Sequence, residues 1–333
     1  MRFPIGLNLK LSAYLLRNRL AGRTRFPLVL MLEPTHNCNL RCYGCGKVRE
    51  YLKTLKEVLP LERCLAAAEE CGAPVVSVCG GEPTMYEPIG ELVAGLLGQG
   101  RQVFCCTHGG FLPDVLHKFR PDPAFTFNVS LDGLAETHDR THAKKGTFDL
   151  AIRGLRATKA AGFRVVTNTT IFSETSVDEV RRLFEFLEGE RVDGFLVSPA
   201  YHYEAIRRSD IFMHREEIDR KFAEIFKLRA RFRFFNTPLY MRFLAGERDL
   251  PCTPWGNVTF NPRGWKGPCY LITDGHYPTF DELMACTDWD KYEAKADPRC
   301  RDCKMHSGFE ASVVRLVGRN VGDVTEMLRW NLS

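Results

Sequence analysis

Residues 27–47 of the chain read PLVLMLEPTHNCNLRCYGCGK. The apolar run Leu28–Leu32 predicts a buried strand, and three cysteines follow it within eight residues, at Cys38, Cys42 and Cys45. An iron–sulfur cube takes four ligands, so a loop that supplies three thiolates leaves one iron open to a small molecule. We therefore predict a [4Fe-4S] cluster with an open iron at this loop.

Two alternatives remain for these three cysteines, a zinc site and a disulfide. Zinc usually takes a closed set of four ligands. The nearest fourth ligand is His36, which is poorly placed because it precedes the first cysteine by only two residues. The chain shows no secretory signal, and for that reason we expect no disulfide. The open cluster is the interpretation that we favour.

Two further segments follow predicted strands. Gly80-Gly81-Glu82-Pro83 comes after the apolar run Pro74–Val78, about thirty-five residues beyond the cysteine loop, and Ser130-Leu131-Asp132-Gly133 ends the strand-like Phe125–Val129. Glycines let a backbone approach a ligand closely, and a carboxylate complements an ammonium group. A plain turn is the alternative for each segment.

The cysteine spacing together with GGEP and SLDG resembles the radical S-adenosylmethionine (SAM) enzymes. The resemblance implies that the GGEP segment holds the methionyl amine of SAM and that the SLDG segment lies near the SAM ribose. The cofactor-binding residues implied in this way are Gly80, Gly81, Glu82, Pro83, Ser130 and Asp132.

The bulk composition agrees with a globular enzyme of the cytoplasm. The chain has 333 residues, of which 44% are hydrophobic and 26% charged. Thirteen cysteines without a signal peptide favour metal ligands and free thiols over a disulfide scaffold. No apolar stretch approaches the roughly 20 residues of a spanning helix, and a net charge of +5 does not indicate nucleic acid binding.

Residues 1–26 form a basic N-terminal segment with six Arg or Lys residues and no acidic residue. Leucines at helical spacing predict an amphipathic helix, although the alternation before about residue 10 fits an extended chain equally well. Such a helix can lie on an anionic membrane surface, here the inner face of the membrane. The alternative is a helix that caps the open end of a barrel, and both roles are compatible.

From about Pro27 the chain alternates between strand-like and helix-like patterns, which predicts parallel βαβ units. About six units form a partial (β/α)6 barrel over residues 27–234, an α/β fold with its chemistry at the strand C-termini. The predicted strands are Leu28–Leu32, Val75–Val78, Gln102–Cys106, Phe125–Leu131, Phe163–Phe172 and Gly194–Val197, and the predicted helices are Leu61–Cys71, Ile89–Leu97, Phe148–Ala161 and Val177–Glu188.

The alternation stops after roughly Phe235, and residues 235–333 carry a second set of cysteines. Their pattern, C-x11-G-x4-C followed by C-x-x-C, resembles the twitch segment that holds an auxiliary cluster in some radical SAM enzymes. We predict an auxiliary [4Fe-4S] cluster in a cysteine-rich domain, with zinc as the alternative metal and His306 as a spare ligand. The predicted ligands are Cys252, Cys269, Cys300 and Cys303.

Over most of its length the chain resembles the adenosylhopane synthases of hopanoid biosynthesis, a branch of lipid metabolism. The matching segments are residues 27–47, ECGAPVVSVCGGEP (70–83), FTFNVSLDG (125–133), SPAYHYE (198–204), PCTPWG (251–256), PCYL (268–271), TDWDKY (287–292) and RCRDC (299–303). The resemblance implies a transferase that adds a 5′-deoxyadenosyl radical to the alkene of a hopene, with flavodoxin or ferredoxin as electron donor. It also implies that Cys106 gives a hydrogen atom to the product radical.

A small buried hydrophobe is the alternative role for Cys106. Its neighbour Cys105 should point to the opposite face of the strand, so only one of the two can be the donor. Three positions depart from the family pattern, namely His108, where Asn is expected, Ser307, where a further cysteine is expected, and Cys79, where a non-thiol is usual.

These departures keep other functions open. A divergent branch could act on another isoprenoid alkene, and a twitch enzyme could abstract hydrogen from a peptide or a sugar. A non-catalytic iron–sulfur or zinc module is a third class, against which the GGEP and SLDG segments argue.

Overall fold

The computed structural model describes residue 2 and residues 5–332, which form an α/β fold around one sheet. The strands are β1 (Val29–Leu32), β2 (Val75–Val78), β3 (Gln102–Thr107), β4 (Phe125–Ser130), β5 (Arg164–Ile171), β6 (Gly194–Pro199), β7 (Asn257–Asn261), β8 (Gly264–Pro268) and β9 (Thr273–Tyr277). The helices are α1 (Ile5–Leu20), α2 (Gly46–Glu50), α3 (Leu61–Cys71), α4 (Ile89–Gly98), α5 (Leu112–Val115), α6 (Ala135–Thr141), α7 (Thr147–Ala160), α8 (Val177–Gly189), α9 (Arg215–Lys227), α10 (Pro238–Leu244), α11 (Phe280–Cys286), α12 (Trp289–Glu293), α13 (His306–Leu316) and α14 (Val321–Leu332).

The sheet order is β6-β5-β4-β3-β2-β1-β7-β8-β9, and β1 to β6 are parallel. This arrangement confirms the predicted partial barrel, and α3 and β2 have the bounds that were predicted from the sequence. The strands were recognisable because parallel strands are buried on both faces and therefore read as continuous apolar runs.

The C-terminal segment extends the barrel sheet. Strand β7 pairs in parallel with β1, with Val29 opposite Asn257 and Leu32 opposite Phe260, and β8 and β9 continue from it as antiparallel strands. Without β7, the backbone groups along one edge of β1 would have no partner within the sheet. The predicted boundary near residue 235 therefore does not coincide with a break in the sheet.

Helix α1 lies at the amino ends of the strands. The Tyr14 hydroxyl donates to the Pro27 carbonyl at 2.7 Å, and Lys10 Nζ donates to the Gly100 carbonyl at 3.1 Å. Pro27 precedes β1 and Gly100 precedes β3, so the helix packs at the amino ends of these strands. Capping the barrel is one of the two roles that were predicted for this helix. Leu7, one of the leucines of this helix, is buried. The side chain of Ile5 lies outside the described part of the chain.

Within the described residues, no helix combines the length and the apolar character that crossing a membrane requires.

A buried ion pair joins β1 to the cysteine loop. Glu33, directly after β1, is fully buried, and its carboxylate lies 2.7 Å from Nζ of Lys47 in α2, whose side chain is 7% exposed. A second buried lysine, Lys266 of β8, lies 3.5 Å from the Glu50 carboxylate. The Lys47 ammonium holds the pKa of Glu33 below its usual range against the opposing effect of burial.

We expect Lys47→Met to lower the free energy of unfolding by about 3–5 kcal/mol, because it leaves the Glu33 carboxylate buried without its partner. Urea denaturation of the metal-free chain measures this loss. The matched control is Arg156→Met, which removes an exposed ion pair with Glu190 and should cost at most about 1 kcal/mol. Equal losses in the two variants would contradict a structural role for the buried pair.

Candidate radical and cofactor site

The carboxyl ends of β1 to β5 surround a cavity of about 250 Å³. Residues at the ends of these five strands meet there, as expected for segments at the same edge of a parallel sheet, and Tyr270 joins them from the C-terminal segment. The predicted site residues that line it are Cys38, Cys42, Cys45, Gly80, Gly81, Glu82, Cys106, Ser130 and Asp132. Sequence reasoning missed Leu40, Thr141, His142, Thr170, Phe172 and Tyr270, which also line the cavity.

Arg49 of α2 holds the cysteine loop in shape. Its Nη1 donates to the carbonyls of Cys42 and Cys45, both at 2.7 Å. A second bond runs from the Leu40 amide to the Cys38 sulfur at 3.4 Å. The loop therefore presents its three thiols from a backbone that is hydrogen-bonded to the side chain of Arg49 in α2.

The thiols of Cys38 and Cys42 keep their protons when no metal is bound. Burial raises the pKa of Cys38 to about 12 and that of Cys42 well above its ordinary value, and the thiols of the loop add to the shift by mutual repulsion. Metal binding must release these protons, since the thiolate is the ligand. Among residues 2 and 5–332, no three His, Cys, Asp or Glu side chains close around a point as the ligands of a single ion do.

The two glycines of GGEP allow this segment to lie against the chain that leads into the cysteine loop. A Cβ atom on Gly80, whose φ is +112°, would lie 2.5 Å from the Thr35 carbonyl oxygen, and one on Gly81 would lie 2.0 Å from that of Asn37. The Gly81 and Glu82 amides donate to these same carbonyls at 3.0 and 2.7 Å. The glycines were predicted to admit a ligand, and in the structure they also admit a neighbouring backbone.

The Glu82 carboxylate is 1% exposed and fully engaged with the protein. Its Oε1 accepts from the Thr84 amide at 3.1 Å, from the Thr107 hydroxyl at 2.6 Å and from the Thr84 hydroxyl. Its Oε2 accepts from the His108 amide at 2.9 Å. Glu82 thus joins the GGEP segment to the end of β3, a role that the sequence did not predict.

His108 has a defined hydrogen position. Its Nδ1 accepts from the Gly110 amide at 3.0 Å, so the neutral ring carries its hydrogen on Nε2 and donates to Asn39 Oδ1 at 2.9 Å. The same Nε2 lies 3.4 Å from Glu82 Oε2. The histidine that departs from the family pattern therefore links the cysteine loop to β3.

Asp132 of the SLDG segment also lines the cavity. Its Oδ1 accepts from the Thr170 amide at 2.8 Å. Burial raises the pKa of its carboxyl group, and the neighbouring His142 opposes that shift. Its position on the cavity wall gives a buried carboxyl group that a bound polar ligand can meet.

Cys106 and Cys105 face opposite sides of β3, as predicted. Cys105 is fully buried in the core, whereas Cys106 lines the cavity. The Cys106 sulfur lies 3.2 Å from the Ser77 hydroxyl and 3.6 Å from Asn128 Nδ2, which donates to it. Burial raises the pKa of the Cys106 thiol, so it keeps its hydrogen at neutral pH.

The four C-terminal cysteines lie near enough to interact electrostatically, although they are spread over about fifty residues. Burial raises the pKa of Cys303 to about 12 and that of Cys300 to about 11, and repulsion from Cys269 adds to both shifts. The Cys252 thiol interacts electrostatically with the other three. Tyr201 packs beside this group, and the cysteines raise the pKa of its hydroxyl in addition to burial. A twitch-like auxiliary cluster remains a prediction.

The first site fits the cofactors of the radical SAM family, a [4Fe-4S] cluster and SAM. Three thiols on one short loop, Cys38, Cys42 and Cys45, border the same cavity as the GGEP and SLDG segments. The buried Asn128 amide oxygen, beside Cys106, has no hydrogen-bond partner among the described residues, which leaves an acceptor for a ligand.

Comparison with family models divides the chain into two parts. Residues 32–187 match the radical SAM superfamily, and residues 195–327 match a domain of unknown function, DUF3463. The first match contains the cysteine loop, GGEP, Cys106 and SLDG. The second contains β7 to β9 and the four C-terminal cysteines.

Curated relatives carry several activities. The chain is 31% identical over 168 residues to the Fe-coproporphyrin III synthase of Methanosarcina barkeri, a match that covers 49% of this chain and 42% of the relative. It is 26% identical over 201 residues to a probable GTP 3′,8-cyclase of Metallosphaera sedula, covering 59% and 63%. The match thus covers less than two thirds of the length of either relative.

Solved structures share the fold. Streptococcus suis SuiB bound to S-adenosylmethionine has a TM-score of 0.63 at 15% identity, over 90% of this chain and 74% of SuiB. The protein anSMEcpe with bound AdoMet has a TM-score of 0.57 at 17% identity, over 92% and 93%. Residues 32–187, the part of the chain that matches the family model, form a radical SAM domain.

Proposed function

We propose that the protein is a radical SAM enzyme that joins a 5′-deoxyadenosyl group to the alkene of a hopene, with Cys106 as the hydrogen-atom donor that ends the reaction. When bound, the reduced cluster and SAM supply a 5′-deoxyadenosyl radical. Addition of this radical to an alkene forms one carbon–carbon bond and leaves an unpaired electron on carbon, so the reaction needs a donor.

The position of Cys106 is the observation that carries the proposal. Its thiol lies in the cavity wall between the segments assigned to SAM, and burial keeps it protonated. An S–H bond is weaker than an alkyl C–H bond, so transfer of its hydrogen to a carbon radical runs downhill. Ser77 and Asn128 fix the sulfur from two sides. An enzyme that abstracts hydrogen from its substrate needs no such thiol at this place.

The hopene substrate rests on the resemblance in sequence to adenosylhopane synthases. The relatives named above act on other molecules, but their matches cover about half of this chain. A divergent branch that acts on another isoprenoid alkene uses the same chemistry at Cys106. A peptide or sugar substrate with hydrogen abstraction is the second enzyme class, and a non-catalytic iron–sulfur or zinc module is the alternative without activity.

We also propose that α1 tethers the protein to the inner face of an anionic membrane, where a hopene resides. Leu9, Leu16 and Leu20 are 65%, 58% and 80% exposed and lie on one helical face because they are seven and four residues apart. Basic residues flank this face and no acidic residue occurs in residues 1–26. Since α1 lies at the amino ends of the strands, it acts as a tether and does not form the mouth of the cavity.

Replacing Cys38, Cys42 or Cys45 with Ala should abolish formation of 5′-deoxyadenosine, because a loop with two thiolates lacks a ligand of the cluster. The measurement is liquid chromatography of a reaction that contains reconstituted protein, SAM and reductant. Cys64→Ala is the control, since Cys64 is a buried thiol in α3 outside the cavity. Normal 5′-deoxyadenosine formation by any one loop variant would contradict the ligand assignment.

Cys106→Ala should still cleave SAM and still form the carbon–carbon bond, but it should lose the normal saturated product. An alkene or a mixture of stereoisomers is expected, because the product radical no longer meets its donor. Mass spectrometry and NMR of products from a hopene extract test this outcome. Cys71→Ala, a buried thiol at the end of α3, is the matched control. An unchanged product at an unchanged rate would show that Cys106 serves only for packing.

We expect the reconstituted protein to bind a second metal centre through Cys252, Cys269, Cys300 and Cys303. Iron analysis should approach about eight atoms per chain if both sites hold four-iron clusters. Four irons and one zinc would support the zinc alternative for the C-terminal site. A variant with all three loop cysteines replaced isolates this site, and the absence of any metal from that variant would refute both assignments.

A further inference from the structure

If Cys106 is the donor in every turnover, it needs a source of hydrogen, a requirement that rests on the proposed function. Once the thiol has given its hydrogen atom to the product radical, a sulfur radical remains on Cys106 inside a cavity of about 250 Å³. A protein reductant cannot touch the sulfur in a space of that size, although an electron can reach a buried group without contact. A hydrogen atom moves only over contact distance, so its nearest source is the side chains around Cys106.

Cys79 is the neighbour of Cys106 across the sheet. Strands β2 and β3 are parallel, with Val78 opposite Cys105, so the next pair in register is Cys79 and Cys106. Adjacent strands lie about 4.8 Å apart. Both thiols line the cavity, and Cys79 is 6% exposed. The second thiol stands where the family pattern has a residue without one.

Tyr270 reaches the same part of the cavity from the C-terminal segment. Its hydroxyl interacts electrostatically with the thiols of Cys79 and Cys106, and all three residues line the same cavity. Its carbonyl accepts from Lys47 Nζ at 3.1 Å and from Lys266 Nζ at 3.0 Å. Lys47 Nζ also lies 4.0 Å from the centre of the tyrosine ring. Two buried lysine side chains thus fix Tyr270 in place.

We propose that Cys79 and Tyr270 form a hydrogen-atom relay that restores the Cys106 thiol after each turnover. In the first step the S–H bond of Cys79 breaks and the S–H bond of Cys106 forms, which moves the radical to Cys79. In the second step the O–H bond of Tyr270 breaks and the S–H bond of Cys79 forms. The tyrosyl radical then takes one electron from a flavodoxin- or ferredoxin-type reductant and one proton from water, so every atom and electron is accounted for.

The chemistry of the neighbouring groups supports this order. A thiol S–H bond and a phenol O–H bond have similar strengths, so each transfer is close to thermoneutral. The hydroxyl of Ser77, although 3.2 Å from the Cys106 sulfur, has a much stronger O–H bond and cannot replace the hydrogen. Burial raises the pKa of both Cys79 and Tyr270, which keeps their hydrogens in place at neutral pH.

Tyr270→Phe tests the relay because it removes only the phenol oxygen. With a flavodoxin as reductant, we expect a burst of about one normal product per active site, followed by a steady-state rate at least tenfold below that of the wild type. Rapid-freeze electron paramagnetic resonance should show a radical that persists after the first turnover. Cys79→Ala should likewise give a burst of normal product, followed by a steady-state rate well below that of the wild type.

Tyr14→Phe is the matched control, since it removes a phenol oxygen that donates to Pro27 at the opposite end of the sheet. It should turn over like the wild type. Wild-type steady-state rates in both Tyr270→Phe and Cys79→Ala would overturn the relay while leaving the proposed function intact. Absence of any adenosylated product from the wild type in its first turnover would overturn the proposed function and the relay with it.

Discussion

The buried ammonium group of Lys47 connects the parts of the protein that the site requires. It pairs with Glu33 at the end of β1 at 2.7 Å, and it donates to the Tyr270 carbonyl at 3.1 Å. Lys47 itself stands two residues after Cys45, so one side chain ties the barrel, the cysteine loop and the C-terminal segment together. A charge buried in this way is costly unless it is paired and hydrogen-bonded, which makes the three parts depend on one another.

The extension of the sheet has a consequence for the two groups of cysteines. Strand β7 pairs with β1, and the chain that leaves β8 carries Cys269 and then Tyr270. Cys269 joins the C-terminal cysteines, whereas Tyr270 lines the cavity beside the cysteine loop. Two adjacent residues thus belong to two different sites.

The two ends of the barrel carry different features. The cavity occupies the carboxyl ends of the strands, where loops of different sequence can meet without disturbing the sheet. Helix α1 covers the amino ends and exposes Leu9, Leu16 and Leu20 there. The curated relatives match 49% and 59% of this chain, and one is named as a synthase of an iron porphyrin and the other as a probable cyclase of GTP. A shared cofactor domain therefore does not by itself define the substrate.

The sequence by itself determined the strands of the barrel, because apolar runs mark parallel strands, and it predicted the cofactor residues from the cysteine, GGEP and SLDG motifs. It also predicted that Cys106 and not Cys105 faces the site, since alternate residues of a strand point to opposite faces. Only the tertiary structure decided that β7 pairs with β1, that the Gly80-Gly81 segment packs on residues 35–37, and that Tyr270 lies beside Cys79. These are contacts between residues far apart in the chain, and no local pattern records which distant partner a backbone edge or a side chain will meet.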